Sequence, residues 1–260
     1  MDLGLANKFA LVTGGSHGIG LSTAQALADE GCNVAICARS EDRLKESILD
    51  LKTRGVEAIG IQGDVLIPAD IERVVSSVVE TWGTIHILVN NVGGGGRWGS
   101  PVIEDTAEDV WTDVYSKNAM AAVRFTRLVI PYMRKQKWGR VVTVASVFGR
   151  EGGGRPWFNM AKSAEISLMK TLAMTKDLVR DGITFNTIAP GHIYIPGTGI
   201  EGERTNDEEA FVRRLDSEFP MGRMGTPEEV ASVIVFACST SASLLSGASI
   251  PVDGGESKSF

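Results

Sequence analysis

Cysteine and histidine are scarce in this 260-residue sequence, which has three of each. Cys32, Cys37 and Cys238 form neither a CxxC pair nor an even-numbered framework, which argues against a disulfide scaffold and for small core hydrophobes. His17, His86 and His192 lack metal-ligand spacing, so no metal is implied. Positive charge is not in excess either: 26 Lys and Arg against 32 Asp and Glu leave a formal net charge of -6. That balance gives no global basic field for nucleic acid or an anionic membrane surface, and favours small-molecule chemistry. No segment approaches about 18 uninterrupted apolar residues, and residues 1–9 carry one lysine without an apolar run. The expectation is a soluble, cytoplasmic protein with no targeting segment. What is present, 43% hydrophobic and 22% charged residues, suffices for one sizeable core, and residues 1–260 are expected to form a single α/β domain.

Short β-branched runs alternate with amphipathic stretches. Strands are predicted at 8–13, 33–38, 57–61, 86–90, 140–145, 183–189 and 249–252, and helices at 18–30, 41–54, 68–82, 107–134, 158–180 and 227–238. The alternation implies a doubly wound, seven-stranded parallel sheet with helices on both faces, and runs such as Val141-Val142-Thr143-Val144 suit a strand buried on both sides. Two segments break the rhythm: 93–100 after the fourth strand, and about 191–225 after the sixth. Both should emerge at the carboxyl ends of the strands, where such sheets bind ligands. The second is long enough to hold a short helix near 207–218 and to act as a substrate lid.

The run Thr13-Gly14-Gly15-Ser16-His17-Gly18-Ile19-Gly20 follows the first predicted strand and opens the first helix. Glycines at 14, 18 and 20 permit a tight turn and close backbone approach to a pyrophosphate, which then meets the positive end of the helix. The spacing TGxxxGxG is joined by Asp64-Val65, Asn90-Asn91-Val92-Gly93, Asn118, Ser146, Lys162 and Pro190-Gly191. Further on come Gly222-Arg223-Met224-Gly225-Thr226-Pro227 and Val252-Asp253-Gly254-Gly255. With these ordered motifs over nearly its whole length, the chain resembles the classical branch of the short-chain dehydrogenase/reductase family, and within it the 3-oxoacyl-carrier-protein reductases.

The resemblance implies a Rossmann-type fold and a nicotinamide dinucleotide. Gly14, Ser16, Gly18, Ile19 and Gly20 would hold the diphosphate, Asp64 and Val65 the adenine, and Asn91 and Gly93 the adenosine ribose region. Pro190, Gly191 and Ile193 would hold the nicotinamide. The 2′-phosphate choice follows from charge. An acidic residue ending the second strand would bond an unphosphorylated ribose and repel a phosphate. Here Ala38-Arg39-Ser40 offers a cation and a hydroxyl, and His17 adds a second basic group in the glycine turn. NADP(H) is therefore preferred over NAD(H).

The family resemblance also implies hydride transfer between cofactor and carbonyl, with a tyrosine as proton donor, a lysine that lowers its pKa and holds the nicotinamide ribose, a serine at the oxygen and an asparagine supporting a water relay. The matching positions are Asn118, Ser146 and Lys162. Tyrosine should precede the lysine by four residues, one turn away on the same helix face. That position is Phe158, and neither Trp157 nor Asn159 supplies a phenol in a shifted register. Loss of a positioned general acid commonly lowers the rate by about 10²–10⁴, so weak turnover is expected. Two accounts of Phe158 stand open: a Tyr-to-Phe substitution introduced to trap a bound complex, which the retained Ser146, Lys162 and Asn118 favour, or a natural chain whose chemistry has been lost or rerouted.

Three function classes follow: an NADP(H)-dependent oxidoreductase interconverting a carbonyl and a secondary alcohol, a catalytically inactive dinucleotide-binding sensor or regulator, and a structural subunit. Arg97 with Trp98, and Arg150 and Arg155 around Gly152-Gly153-Gly154, are expected to face the cleft and to suit an anionic or polar carbonyl substrate. Ile195 stands where relatives often place a threonine that binds the carboxamide, with Thr198 as its possible replacement. The resemblance further implies a homotetramer or homodimer.

Overall fold

A computed structural model of the chain describes residues 2–100 and 102–259, and of Glu203 the backbone alone. Met1 and Phe260, the ends of the expected 1–260 unit, and Pro101 lie outside the described residues. Seven strands form one sheet: β1 (Phe9–Thr13), β2 (Asn33–Ala38), β3 (Ala58–Gln62), β4 (Ile87–Asn90), β5 (Gly139–Val144), β6 (Ile183–Pro190) and β7 (Ser249–Val252). Their order is β3-β2-β1-β4-β5-β6-β7, with every pairing parallel. The chain reverses its direction of winding between β1 and β4, and the crevice beyond their carboxyl ends is the switch point at which doubly wound sheets bind ligands.

The helices are α1 (Gly18–Asp29), α2 (Glu41–Lys52), α3 (Pro68–Trp82), α4 (Glu108–Tyr115), α5 (Ala121–Lys135), α6 (Pro156–Ala173), α7 (Lys176–Arg180), α8 (Gly199–Asn206), α9 (Glu208–Glu218) and α10 (Pro227–Cys238). Successive strand side chains point to opposite faces. Val34 and Ile36 therefore join Leu27, Leu44 and Ile234 in a core under α1, α2 and α10. Their neighbours Ala35 and Cys37 join Val74, Phe125 and Met169 in a second core under α3, α5 and α6. The runs that read as apolar on both sides are those filling both layers. Cys32, Cys37 and Cys238 are free and buried in these cores, and burial pushes the Cys32 and Cys37 thiols up to about 12.

Two helices expected as single units are divided. Between α4 and α5 the chain passes through a widened turn of π type, Ser116–Met120, and between α6 and α7 it breaks at Met174–Thr175. Among the described residues no helix is long and apolar enough to cross a membrane.

Candidate active site

From β1 the chain turns through Gly14 and Gly18, whose φ values of 64° and 53° favour glycine. A Cβ on Gly14 would stand 2.9 Å from Val92 Cγ2 and 3.0 Å from Asn91 Nδ2. Asn91 fastens the exit of β4 to this turn: its Nδ2 donates to Thr13 O at 2.9 Å and Gly14 O at 3.3 Å, while its backbone N donates to Thr13 Oγ1 at 2.9 Å. His17 is the N-cap of α1 without a side-chain cap bond, which leaves the first-turn N–H groups of the helix for an anion.

A cleft of about 840 Å³ opens beyond these strand ends, within the size range of cofactor sites. Gly14, Ser16, His17, Gly18 and Ile19 line its middle. Gly20 lies behind the wall: a Cβ there would stand 2.3 Å from the Gly14 carbonyl oxygen, so its work is to let α1 press on the turn. At one end Arg39, Ser40, Asp64 and Val65 line the cleft. Ser40 Oγ accepts from Arg43 N at 3.4 Å and caps α2, and Arg39 O accepts from Gln62 Nε2 at 2.9 Å. Arg43 lines the same end. Sequence reasoning missed it, because Arg39 precedes the N-cap Ser40 while Arg43 lies in the first turn of α2, so no common helix face linked the two.

The other end gathers Asn91, Gly93, Ser146, Phe158, Lys162, Pro190, Gly191 and Ile193 from the ends of β4, β5 and β6 and from α6. Lys162, 3% exposed, donates from Nζ to Val144 O at 2.9 Å and to Glu165 Oε2 at 2.9 Å. Its Nζ lies 5.7 Å from the centre of the Phe158 ring. A Cβ on Gly93 would stand 2.9 Å from Lys162 Nζ and 2.7 Å from Asn118 Oδ1, so a side chain there would have to displace one of these groups. Ser146 Oγ accepts from Phe148 N at 3.2 Å, which leaves its own O–H to donate.

Asn118 is fully buried behind Gly93 and Gly94. Its Nδ2 donates to Val114 O at 2.7 Å and Gly94 O at 2.9 Å, and its Oδ1 accepts from Gly94 N at 3.1 Å. Val114 O is the carbonyl one turn back that an α-helical backbone N–H at 118 would use, and the widened turn gives it to the side chain instead. Asn118 thus shapes the glycine loop from behind while the loop lines the cleft.

Lys117, next in the chain, does line it. Its ammonium sits 4.7 Å above the Trp98 ring. Burial, with the like charges of Arg39 and Lys162, lowers its pKa, against an upward pull from Asp64. Nothing in the helical periodicity marked this residue. Of the arginines expected to face the cleft, Arg97 lines it. The other two correct that expectation: Arg150 turns away to Ser259 Oγ at 3.1 Å and Ser249 O at 2.6 Å, and the Arg155 guanidinium lies 5.8 Å from the Trp157 ring centre.

The segment after β6 is gathered at its neck, where Tyr194 N donates to Gly225 O at 2.9 Å and Gly225 N to His192 O at 3.0 Å. Its Ile195, Thr198 and Ile200 form part of the cleft wall, and Thr198 Oγ1 donates to Ile195 O at 2.7 Å. At the base of the segment Glu256 accepts from His192 N at 2.8 Å and contacts His192 Nδ1 at 2.6 Å.

A glycine turn at the switch point of a parallel doubly wound sheet, with helix-end N–H groups in the middle of the cleft and cations at one end, defines a dinucleotide-binding protein. A family model described as Enoyl-(Acyl carrier protein) reductase matches residues 14–257. The chain is 34% identical to dehydrogenase/reductase SDR family member 4 of Oryctolagus cuniculus, over 96% of this chain and 94% of that protein. It is 32% identical to the 3-oxoacyl-(acyl-carrier-protein) reductase FabG of Staphylococcus epidermidis, over 96% and 98%. The structure of L-sorbose reductase from Gluconobacter frateurii, complexed with NADPH and L-sorbose, superposes with a TM-score of 0.92 at 34% identity, covering 100% of both chains. The chain belongs to the short-chain dehydrogenase/reductase family of NAD(P)-dependent oxidoreductases.

Proposed function

We propose that the protein is an NADP(H)-dependent oxidoreductase interconverting a small polar carbonyl compound and its secondary alcohol, with turnover limited by Phe158. The observation that carries this reading is the grouping of Ser146, Phe158 and Lys162 at one end of a cleft whose other end holds Arg39, Ser40 and Arg43. The glycine turn, whose space a single Cβ would fill, and the open N-terminus of α1 fit a dinucleotide diphosphate.

When bound, the dinucleotide supplies or accepts the hydride. Arg39, Arg43 and the Ser40 hydroxyl are suited to the 2′-phosphate, Gly14 to Ile19 to the diphosphate, and Asp64 and Val65 to the adenine. Lys162 serves the nicotinamide ribose and Pro190, Gly191 and Ile193 the nicotinamide. Ser146 donates its hydroxyl proton in a hydrogen bond to the substrate oxygen. Phe158 offers a ring edge where the reaction needs a phenol, so α6 provides no general acid at that oxygen. Arg97 favours a polar or anionic substrate, in keeping with relatives named for acyl-carrier-protein and sorbose reduction. Residues 191–225 act as the lid of a single domain, and the assembly is a homotetramer or homodimer.

Phe158 itself favours a second reading, a dinucleotide-binding sensor that does not turn over. Phe158→Tyr separates the two. In the enzyme, NADPH oxidation with a panel of ketones, ketoses and 3-oxoacyl thioesters should rise by about 10²–10⁴. Tight NADPH binding with no gain on any substrate would leave the sensor. Arg39→Ala should weaken NADPH binding about tenfold or more while changing NADH binding little, and equal losses for both would remove Arg39 from 2′-phosphate recognition.

A further inference from the structure

Glu165 is 1% exposed, one helical turn beyond Lys162, and does not itself line the cleft. A carboxylate on the buried face of α6 is costly unless it is paired. Its partner is Lys162, at 2.9 Å, itself 3% exposed. Two of the three ammonium N–H groups of Lys162 are thereby engaged, by Glu165 and by Val144 O, and Nζ also lies against Gly93 on the cleft side. A lone buried ammonium at this place would need an anion. With Phe158 in the neighbouring turn, no phenolate is available to serve.

We infer that Glu165 is a positioning residue of the active site: it holds the Lys162 ammonium against the Val144 carbonyl and cancels most of the positive charge that Lys162 would otherwise direct at position 158. This inference rests on the assignment of Lys162 and position 158 to the reacting end of the cleft.

The surroundings support it. Burial pushes the Glu165 carboxyl up to about 6 against the pull of Lys162, and the 2.9 Å contact makes the two a close buried ion pair. Among the elements packed on α6, β6 and residues 147–149 bring no ionisable side chain. β5 brings Arg140, which is turned to Ser239 O at 3.2 Å. The widened turn brings Lys117, α4 brings the exposed Glu108, Asp109 and Asp113 together with Tyr115, and α7 brings Lys176, Asp177 and Arg180. The charge that acts on Glu165 is that of Lys162.

An unpaired cation this close lowers the pKa of a neighbouring acid by about 1–3 units, whereas a neutral pair leaves it near its ordinary value. Phe158→Tyr places a reporter phenol at the site. Its ionisation is read by ultraviolet absorbance against pH without dinucleotide, with the Phe158 chain subtracted to remove Tyr115, Tyr132 and Tyr194. With Glu165 present the phenol should titrate near 10. Adding Glu165→Gln should lower its midpoint by about 1 unit or more, and Glu165→Asp, which withdraws the carboxylate by one methylene, should give an intermediate value. The same midpoint in all three, or a rise on removing the charge, overturns the inference. If the Gln variant fails to fold by circular dichroism, the Asp variant decides in the same directions. Turnover is not read, so an inactive Phe158→Tyr chain would sink the reductase reading alone, while restored turnover with an unmoved phenol would sink this inference alone.

Discussion

His86 shows how one side chain ties the stability of this fold to pH. It lies 5.4 Å from the Phe9 ring and 5.8 Å from the Trp138 ring, and its Nδ1 accepts from Phe9 N at 3.2 Å, a bond only the unprotonated nitrogen can make. Burial, aided by the charge of Lys8, lowers its pKa from 6.5 to about 4. Between those values the unfolded chain takes up a proton that the folded chain refuses. Stability from this residue is therefore present above 6.5 and is lost as pH falls toward 4. Discounted for its half-exposed ring, the loss is about 1–2 kcal/mol. His86→Asn keeps an acceptor for Phe9 N without the titration. Urea unfolding at pH 7 and at pH 4.5 should show the parent losing more stability than the variant. Equal losses would mean that His86 does not contribute to the acid limb. At this scale the sequence was legible wherever a residue acts through its neighbours in the chain: the glycine turn, Arg39 and the missing phenol at 158 are all read from short spacings. Glu165 and Lys117 escaped because their significance lies in burial and in contacts across elements.

Among the elements, α1 depends most on one glycine. Alanine is the better helix former by about 1 kcal/mol, so Gly20→Ala would stabilise an isolated α1. In the fold its Cβ would meet Gly14 O at 2.3 Å and Asn91 Nδ2 at 2.4 Å. The first is backbone of the turn itself and has no rotamer by which to yield. The expected outcome is a net loss of about 1–3 kcal/mol, with NADPH affinity reduced more than tenfold because the turn and the helix N-terminus separate. Gly152→Ala is the control, since nothing stands within 4 Å of its Cβ, and it should stay within about 0.5 kcal/mol. Chemical denaturation and fluorescence titration of both variants measure this. A Gly20→Ala chain that binds as the parent does would show that the close approach is not needed. Strand positions were legible to within a residue or two: β1, β2, β4, β5 and β6 are buried on both faces and leave near-continuous apolar runs, while β3 and β7, at the sheet edges, are only partly buried. The widened turn at Ser116–Met120 was not, since α and π turns share nearly the same periodicity over five residues. The break at Met174–Thr175 carries no glycine or proline to announce it.

For the molecule as a whole, the cleft is shared among the ends of β1, β2, β3, β4, β5 and β6 and the segment that follows. A ligand that fills it joins elements from both halves of the sheet and stabilises the fold as a unit. The sequence conveyed this topology through its alternation of strands and helices. It also pointed to Ile195 and Thr198 in the connection after β6, and both line the cleft together with Ile200; it did not convey the contacts among His192, Tyr194 and Gly225 that gather the neck of that connection. Binding to the folded state alone adds about 2.7 kcal/mol at a ligand concentration one hundred times Kd. A chain of this size gains about 2–4 °C in Tm per kcal/mol. NADPH at that excess should therefore raise Tm by roughly 5–10 °C. NADH at the same concentration should raise it less, because Arg39, Ser40 and Arg43 meet no 2′-phosphate. Arg39→Ala should bring the two shifts together by lowering the one for NADPH. Differential scanning calorimetry on the Phe158 chain, with no carbonyl substrate present, gives all three comparisons. Equal shifts in the parent would overturn the preference for NADP(H), while a Tm unmoved by either dinucleotide would remove the cofactor from the cleft altogether.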